Sequence, residues 1–391
     1  MTVDDPGARP GRDSIGTIDD LEASAVKITG LADFGSDDYR DGLSVLIESY
    51  KGEAGLTPWG NRTVRAALRS ALAARLMAEE AWKHHPDHAS VRIEQPIVVT
   101  GLPRTGTTAL HRLLCEDPAH QGLEMWLTEA PQPRPLPESL GENPVYRAVQ
   151  AGFDQFYATS PDFAGVHFTS ADSVEECWRL LRQSMRSMSF ESLAHLPTYS
   201  AWLAEQDWTD VYRRHRRNLQ LIGLNDPEKR WVLKNPSHLV ALDALMSAYP
   251  DALVVVTHRD PLVAVASSCS LSAHATEGES TVFRGEVIGR DQLEMLGRSV
   301  DLFTKARSAY DPSQFMDVRY EDFTADPAGT VESVYDRFGL PLSTEAADAV
   351  ARAHAQSLAG AGRPSHRYTL EDFGLTAGEI AERFAGYGPV G

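Results

Sequence analysis

Residues 96–114 (PIVVTGLPRTGTTALHRLL) constrain the fold of this chain more than any other stretch. The run at 97–99 is apolar and β-branched, as in a short buried strand, and Leu110 and Leu114 recur at the spacing of a helix. Between them, the loop Gly-Leu-Pro-Arg-Thr-Gly-Thr-Thr at 101–108 turns through glycines into the helix start. Backbone N–H groups are unpaired at such a start, and the helix dipole favours negative charge there. The stretch therefore predicts a binding site for a phosphate or a sulfate.

The loop lacks the lysine that binds the triphosphate in the phosphate loop of nucleoside triphosphatases. Its two glycines fit the spacing G-x-x-x-x-G-K-[ST], but Thr107 occupies the position of the lysine. Such enzymes also hold Mg²⁺ with an acid at the end of a second strand, whereas the best candidate strand, 253–257, is followed by His258 and Arg259. Arg104 is the long cation of the loop. We therefore expect a cationic site without a metal.

The overall charge restricts how such a site can be built. The chain of 391 residues has a formal net charge of −18, which argues against generic binding to nucleic acid or to an anionic membrane. The anion site is therefore expected to be a local basic pocket. We expect neither a targeting leader nor a membrane span, because no apolar run approaches the roughly 18 residues that cross a bilayer.

The cysteines indicate the compartment. Cys115, Cys177 and Cys269 are few and far apart, and they match neither a disulfide framework nor a zinc-binding spacing. Such a pattern is typical of a reducing compartment, so we predict a cytoplasmic protein.

Strand and helix patterns alternate along the rest of the chain. Predicted strands at 231–234, 252–257 and 315–320 each precede a segment with helical periodicity, and the run at 252–257 is the most β-branched of the chain. Repeated strand-helix units imply a parallel sheet covered on both faces by helices. The sequence thus predicts an α/β protein with a three-layer, P-loop-like fold around a central parallel sheet, plus a helical N-terminal segment and a helical lid.

Polar side chains follow the predicted strands. Lys234 and His238 follow one strand, Arg259 and Ser267 another, and Tyr320 a third. Ligands of such folds bind at the edge where the carboxyl ends of parallel strands meet, so these side chains are expected to converge on the loop. A single cation at a strand end is more often solvated or salt-bridged than part of a binding site. The occurrence of cations at the ends of several strands nevertheless favours a common anion site.

Together these residues resemble the sulfotransferases that use 3′-phosphoadenosine 5′-phosphosulfate (PAPS). The loop is similar to the P-R-[ST]-G-T-T loop that bacterial members of the family share with tyrosylprotein sulfotransferases. Judged by the order of motifs, the resemblance covers residues 96–340. It implies that the 5′-phosphosulfate is cradled by the loop residues Arg104, Thr105, Gly106, Thr107 and Thr108.

Two further motifs belong to the resemblance. The family holds the 3′-phosphate with an Arg at a strand end and a Ser eight residues later, which match Arg259 and Ser267. Its strand lysine matches Lys234, and its Tyr-Glu-Asp segment, whose Tyr contacts the adenine, matches Tyr320. The resemblance makes adenosine 3′,5′-bisphosphate (PAP) the nucleotide product.

The chain departs from the cytosolic branch of the family in two places. That branch has a lysine where this loop has Arg104, and Pro236 occupies the position of its catalytic histidine. The branch also has a basic C-terminal motif that is not plain here. The candidates for that motif are Arg363, His366, Arg367 and Tyr368.

The motifs leave open which base takes the proton of the acceptor. The resemblance to tyrosylprotein sulfotransferases favours Glu124, and His238 is the histidine best placed by sequence. Positive charge at the breaking bond is expected from Arg104 and Lys234. The other candidates for the base are Glu129, His167, Glu175 and Glu176.

We divide the chain into three parts. Residues 1–90 are predicted to form a helical segment behind a disordered tail, and residues 91–345 the sulfotransferase domain. The polar residues at 61–63 are predicted to cap a long helix of the first segment. The sulfotransferase domain includes an aromatic, helical acceptor lid at 140–225, although core packing explains the same aromatic residues. Residues 346–391 are expected to close the cofactor site. The sequence leaves open whether the first part packs on its own chain or on a second subunit of a homo-oligomer.

The predicted activity is sulfuryl transfer from PAPS to a hydroxyl group of a small, apolar or amphipathic acceptor, without a metal. No nucleic-acid partner is expected. One alternative is a degenerate phosphate-loop kinase or nucleotide hydrolase, which would bind ATP with Mg²⁺. Another is a non-catalytic scaffold that binds a nucleotide but lacks a competent base.

Overall fold

A parallel sheet lies at the centre of the computed structural model, which describes residues 14–159, 169–359 and 368–389. Its strands are β1 (Ile97–Gly101), β2 (His120–Gln121), β3 (Arg230–Lys234), β4 (Leu253–His258) and β5 (Phe315–Arg319). They lie in the order β2-β3-β1-β4-β5, and each neighbouring pair is parallel. The predicted central parallel sheet is confirmed.

The middle strand of this sheet is β1. Val98 pairs with Leu233 of β3 on one side and with Val254 of β4 on the other. The chain builds one half of the sheet after β1 and then crosses to the other half for β4 and β5. The carboxyl end of β1 therefore lies where the strand order reverses, which is the usual ligand position of an open α/β sheet.

Helices surround the sheet and form the N-terminal part of the chain. In chain order they are α1 (Ile18–Thr29), α2 (Arg40–Gly52), α3 (Pro58–His84), α4 (Thr107–Leu114), α5 (Met125–Glu129), α6 (Pro144–Thr159), α7 (Trp178–Arg182), α8 (Met188–Glu191), α9 (Pro197–Ala204), α10 (Thr209–Ile222), α11 (Leu242–Ala248), α12 (Pro261–Ala275), α13 (Glu286–Arg307), α14 (Tyr320–Ala325), α15 (Pro327–Phe338), α16 (Thr344–Ala359) and α17 (Ala377–Arg383). Short 3₁₀ helices lie at Asp37–Tyr39, Pro86–Ser90, Pro137–Glu142, Gly223–Asn225, Pro236–Leu239, Pro312–Gln314 and Glu371–Phe373. Within the described ranges, none of the helices has both the length and the apolar character needed to cross a membrane.

The two faces of the sheet are covered by different helices. Val99 and Val255 belong to a buried cluster with side chains of α4, α15 and α16. Val98 and Val254 belong to the other large cluster, which includes side chains of α12 and α13. Successive strand residues point to opposite faces, and here both faces are buried. The predicted three-layer arrangement is therefore confirmed.

Local sequence explains where two helices near the sheet edge begin. Asp260 caps α12 by accepting a hydrogen bond from the backbone N–H of Leu262 (2.9 Å), with Pro261 in the first turn. Asp326 caps α15 in the same way, accepting from the backbone N–H of Gly329 (2.9 Å). Both starts have an Asp-Pro pair, which is a helix-start signal that can be recognised in the sequence.

Helix α3 begins earlier than predicted. The sequence places a cap at 61–63, whereas the hydroxyl of Thr57 accepts a hydrogen bond from the backbone N–H of Gly60 (3.1 Å). Pro58 follows this cap at the first helical position, where its missing N–H leaves no bond unmade. The predicted cap was wrong because the Thr-Pro pair starts the helix one turn upstream.

The N-terminal helices pack on the rest of the described chain. Arg75 of α3 is buried and donates hydrogen bonds to the carbonyl oxygens of Phe34 (2.7 Å) and Gln183 (3.1 Å). The larger buried cluster extends from Ile15 to Phe384 and includes side chains of the N-terminal helices, the lid and the sheet. The proposed part boundaries at residues 90 and 345 stay predictions.

Candidate active site

Two glycines shape the loop between β1 and α4. Gly101 has a φ of +141°, and a Cβ atom there would lie 2.5 Å from the carbonyl oxygen of Thr257. Gly106 has a φ of +92°, and its Cβ would lie 3.2 Å from side-chain atoms of Tyr320 and Phe323. Both positions therefore favour glycine. The loop consequently lies close against β4 and α14 and leads directly into the first turn of α4.

The side chain of Thr105 stabilises this loop through hydrogen bonds. It is buried, and its hydroxyl donates to the carbonyl oxygen of Leu102 (2.6 Å) and shares a hydrogen bond with the hydroxyl of Thr257 (2.6 Å). Its side chain is thus occupied within the protein, and only its backbone can face a ligand. Thr257 was not predicted as a site residue. The sequence feature that could have indicated it is a single hydroxyl side chain at the end of an apolar strand.

Lys234 connects the loop to the end of β3. Its side chain is 2% exposed, and Nζ donates a hydrogen bond to Oγ1 of Thr108 (2.8 Å). The ammonium also forms an ion pair with the carboxylate of Glu176. A buried ammonium needs such partners, because an unpaired charge is strongly disfavoured away from water. A cation, a hydroxyl group and a carboxylate therefore meet beside the start of α4.

The path of the chain before α7 brings Glu176 to Lys234. The backbone N–H of Cys177 donates a hydrogen bond to the carbonyl oxygen of Lys234 (3.0 Å), which fixes this segment at the end of β3. Glu175 instead contacts Arg179, with Oε2 3.6 Å from Nε. Burial raises the pKa of Glu175, and the charge of Arg179 opposes that shift. The sequence contains two adjacent acids, and the tertiary contacts distinguish them.

Arg259 and Ser267 lie on the opposite side of the loop. The guanidinium carbon of Arg259 is 4.0 Å from the ring centroid of Tyr320, and Nη1 donates to the carbonyl oxygen of Arg104 (2.9 Å). Nε of Arg104 donates in turn to Oγ of Ser267 on α12 (3.0 Å). The structure thus brings together four residues that the sequence assigned to the nucleotide.

A network of charged side chains lies next to Arg259 at the end of β4. Its neighbour His258 donates from Nε2 to Oδ1 of Asp317 (2.6 Å). Arg307 donates to both oxygens of the same carboxylate (2.8 and 2.7 Å). Burial opposes ionisation, but the bonds from His258 and Arg307 lower the pKa of Asp317 to about 2. Asp317 was not predicted as a site residue. The sequence feature that could have indicated it is a charged residue within a predicted strand.

Glu124, the acid favoured by sequence as the base, lies in a salt bridge at the start of α5. Its carboxylate accepts hydrogen bonds from Nε1 of Trp126 (2.7 Å) and from Nε of Arg134 (2.8 Å). Arg134 is shared with Asp226 (3.2 Å). Both donors to Glu124 lie outside the phosphate loop, and its assignment as the base stays a prediction.

His238 lies in the 3₁₀ helix after β3 and is completely buried (0% exposed). Its Nδ1 shares a hydrogen bond with the hydroxyl of Tyr212 (2.6 Å). Burial, reinforced by nearby His215 and Lys234, lowers the pKa of His238 well below its usual range. The imidazole is therefore neutral at physiological pH.

The other predicted site residues are spread more widely. Glu129 forms an ion pair with Arg179 and accepts a hydrogen bond from Oγ of Ser70 (2.9 Å). Among the residues that the structure describes, no group of His, Cys, Asp and Glu suits a metal ion. The predicted residues that lie outside the described ranges are His167, Arg363, His366 and Arg367.

Comparison with known proteins decides the family. The model of the sulfotransferase family matches residues 96–344, which is more than half of the chain. The chain belongs to the sulfotransferase family. The family predicted from the motifs is thus confirmed, while the detailed likeness of its loop to tyrosylprotein sulfotransferases stays a prediction.

Two solved mycobacterial structures share the fold of this family member. Sulfotransferase STF1 from Mycobacterium tuberculosis H37Rv is 56% identical with a TM-score of 0.90, and the match covers 96% of this chain and 100% of that chain. Sulfotransferase STF9 from Mycobacterium avium is 27% identical with a TM-score of 0.86, and the match covers 98% of this chain and 97% of that chain. The predicted P-loop-like fold is confirmed by these similarities.

Curated relatives include the omega-hydroxy-beta-dihydromenaquinone-9 sulfotransferase Stf3 of Mycobacterium bovis (strain ATCC BAA-935 / AF2122/97) and of Mycobacterium tuberculosis (strain CDC 1551 / Oshkosh). Each is 27% identical over 262 residues, which cover 64% of this chain. The match also spans 64% of the length of these relatives, which is less than two thirds.

Proposed function

We propose that this sulfotransferase-family protein transfers a sulfuryl group from PAPS to a hydroxyl group of an acceptor, without a metal ion. The observation that supports the proposal is the grouping of Lys234, Arg104 and Arg259 around the loop at the carboxyl edge of the sheet, which we interpret as two adjoining anion sites. The loop and Lys234 form the first site, and Arg259 and Ser267 form the second. Arg104 is hydrogen-bonded to both residues of the second site. Adjoining sites suit a nucleotide with charged groups at its 5′ and 3′ positions.

The groups at the first site fit a phosphosulfate. Gly101 and Gly106 allow the loop to pack closely against Thr257 and against Tyr320 and Phe323, which fixes the loop backbone at the start of α4. The first turn of α4, the hydroxyl of Thr108 and the ammonium of Lys234 supply hydrogen-bond donors. The acid beside them, Glu176, is already paired with Lys234. This set of groups supports an anion held by protein donors over a triphosphate held by Mg²⁺.

Glu176 is the base in this proposal. Its carboxylate lies beside Lys234 and its side chain is 28% exposed, so a hydroxyl group can reach it from solvent. Glu124 is held by two donors, and His238 is completely buried. These two residues are the alternatives that substitution experiments must compare with Glu176.

The remaining chemistry follows from the Lys234–Glu176 ion pair. The donor supplies the sulfuryl group, whose bond to the 5′-phosphate oxygen breaks as the acceptor oxygen bonds to sulfur. Glu176 takes the hydroxyl proton, and Lys234 with the loop N–H groups stabilises negative charge on the departing phosphate oxygen. Protonation of Glu176 removes the negative partner of Lys234, which makes the ammonium available to that oxygen.

A ligand-binding experiment tests the nucleotide assignment. PAP without metal is expected to raise the melting temperature of the protein more than ATP with Mg²⁺, because the site offers donors for two separate anionic groups. Arg259→Ala is expected to weaken PAP binding in calorimetry by about tenfold or more, as for a lost hydrogen bond to a charged group. Stabilisation by ATP with Mg²⁺ and not by PAP would favour the kinase or hydrolase alternative.

We propose an apolar or amphipathic hydroxyl compound as the acceptor. The support is the name of the Stf3 relatives, which states that they act on an omega-hydroxy-beta-dihydromenaquinone-9. A screen with labelled sulfate on PAPS, comparing long-chain alcohols with small polar alcohols, tests this proposal. Transfer only to the polar alcohols would contradict it.

We propose the cytoplasm as the compartment of this reaction. Cys115, Cys177 and Cys269 are unpaired in the structure. Burial raises the pKa of Cys177 and of Cys269 to about 12, so both remain thiols at neutral pH. Free thiols are typical of a reducing environment.

A further inference from the structure

A cleft of about 330 Å³ lies between α3, α5 and α7, apart from the residues assigned to the nucleotide. Helix α3 contributes small side chains, mostly alanine, to its wall. Glu129 comes from α5, and Trp178, Arg179 and Arg182 come from α7. Helix α7 begins two residues after Glu176, the base in the proposed reaction. The cleft is therefore lined by the segment that follows the base directly.

The guanidinium of Arg182 is held in a fixed orientation at this cleft. Its central carbon is 4.3 Å from the ring centroid of Trp178 and 4.6 Å from that of Phe190. Nε donates a hydrogen bond to Oγ of Ser189 (2.7 Å), and Nη2 donates to the carbonyl oxygen of the same residue (3.1 Å). In the described part of the chain, Nη1 has no hydrogen-bond partner. Two stacked rings and one bonded edge thus leave the other edge of a planar fork for a ligand.

The side chains of the cleft carry a net positive charge. Arg179 forms an ion pair with Glu129, whose carboxylate also accepts a hydrogen bond from Oγ of Ser70 (2.9 Å). Arg182 is half-buried, and no carboxylate of the described residues pairs with it. Burial lowers the pKa of Arg182 to about 10, so the guanidinium stays charged at neutral pH. A cation in such a position is poorly compensated by the protein, and an anionic ligand would compensate it.

We propose that this cleft binds an anionic group of the acceptor through Arg182, and that the acceptor is therefore a hydroxyl compound that also carries a carboxylate or a phosphate. The inference rests on the proposed function and narrows its class of acceptor. Both anions accept strong, charge-assisted hydrogen bonds from a guanidinium. An amphipathic chain between the two groups would direct its hydroxyl to Glu176 while its anionic end stays on Arg182.

Calorimetry with matched compounds tests the inference in the presence of PAP, which has no sulfuryl group to transfer. The anionic compounds 12-hydroxydodecanoate and 12-hydroxydodecyl phosphate are compared with 1,12-dodecanediol, which has the same chain and no charge. We expect the wild type to bind at least one anionic compound about tenfold or more tightly than the diol, as for a hydrogen bond to a charged group. Arg182→Gln is expected to abolish this preference. Arg92→Gln, at a position whose side chain is 85% exposed, is the matched control and is expected to keep it.

Other results of the binding experiment would overturn the inference. Equal affinity of the wild type for the diol and for both anionic compounds would exclude an anion site for the acceptor. A preference that Arg182→Gln retains would place the anionic group elsewhere. If melting shows that Arg182→Gln is unfolded, Arg182→Met provides the same comparison, because its apolar chain can fill the space between the two rings.

Transfer of labelled sulfate from PAPS to the same compounds separates this inference from the proposed function. A lower KM for an anionic compound than for the diol, lost in Arg182→Gln, would support both. Transfer to the diol and to the anionic compounds with the same KM would overturn the inference and leave the proposed function standing. Failure of the wild type to bind PAP would refute the proposed function itself, and the role of the cleft in binding an acceptor with it.

Discussion

Lys234 is a buried cation whose two partners define the chemistry of the site. Thr108 accepts one of its hydrogen bonds, and Glu176 supplies the opposite charge. Because the carboxylate and the ammonium are paired, a change of charge on one of them alters the interactions that the other can make. In the reaction that we propose, this pair links proton removal from the acceptor to charge stabilisation at the donor.

Glu176→Gln is expected to lower turnover by about a hundredfold to ten-thousandfold, the usual contribution of a general base. PAP affinity is expected to be kept or to rise, because the neutral amide still fits beside Lys234 and leaves its ammonium available to the 5′-phosphate. Transfer of labelled sulfate to an acceptor from the hydroxyl screen measures the first effect, and calorimetry measures the second. Glu124→Gln is the matched comparison. Full turnover in Glu176→Gln with its loss in Glu124→Gln would assign the base to Glu124.

At the scale of elements, an ion network joins β4, β5 and α13 behind the nucleotide site. Asp317 of β5 accepts hydrogen bonds from His258 of β4 and from Arg307 of α13. Its side chain is 10% exposed, so its charge is poorly screened by water. The network orients the end of β4 just before Arg259, and thereby supports the second anion site.

The network gives a pH dependence that can be measured. Asp317 has a pKa of about 2 in the folded protein, whereas an aspartate in an unfolded chain titrates near pH 3.9. Its stabilising effect is complete above about pH 5 and is lost progressively as the pH falls toward about 1, with a total of about 2.6 kcal/mol. The difference in unfolding free energy between wild type and Asp317→Asn is therefore expected to be constant from about pH 7 to 5 and to shrink in more acidic solution.

Urea unfolding at a series of pH values measures this difference down to the lowest pH at which the fold persists. Asp336→Asn, an exposed position on α15, is the control for loss of one carboxylate. A difference between wild type and Asp317→Asn that stays constant through the acid range would contradict the prediction.

At the scale of the whole molecule, Arg75 joins the N-terminal helices to the segment after α7. Its side chain is 0% exposed. The guanidinium donates to carbonyl oxygens of Phe34 (2.7 Å), Ser36 (2.6 Å) and Gln183 (3.1 Å), and it pairs with Asp38 (2.5 Å). Removing such a group leaves one buried and several part-buried acceptors without this donor, so a change at Arg75 is expected to affect both segments.

Arg75→Met is expected to lower the free energy of unfolding by about 3–5 kcal/mol, the usual effect of breaking a buried ion pair on one side. Urea unfolding followed by circular dichroism measures the change. Arg213→Met provides the control, because the Arg213 side chain is 72% exposed and its variant is expected to stay within about 0.5 kcal/mol of wild type. An unchanged unfolding midpoint in Arg75→Met would show that this residue does not hold the parts together.

Local features of the fold could be predicted from the sequence because they depend on near neighbours. The caps at Asp260 and Asp326 and the apolar run that forms β4 are of this kind. Strand β2 was not predicted, since its two residues have no strand pattern of their own and pair only through β3. The start of α3 was missed by one turn, because Thr57 and Pro58 provide a stronger cap than the polar residues at 61–63.

The sequence by itself determined the loop at 101–108, the class of the fold and the sheet edge at which the cations collect. These follow from glycine and proline conformations, side-chain periodicity and the parallel direction of the strands. Only the tertiary structure decided that Glu176 pairs with Lys234, that His238 is buried and that Arg104 bonds to Ser267. The physical reason is that burial and ion pairing depend on which distant segments pack together, and no short stretch of sequence contains that information.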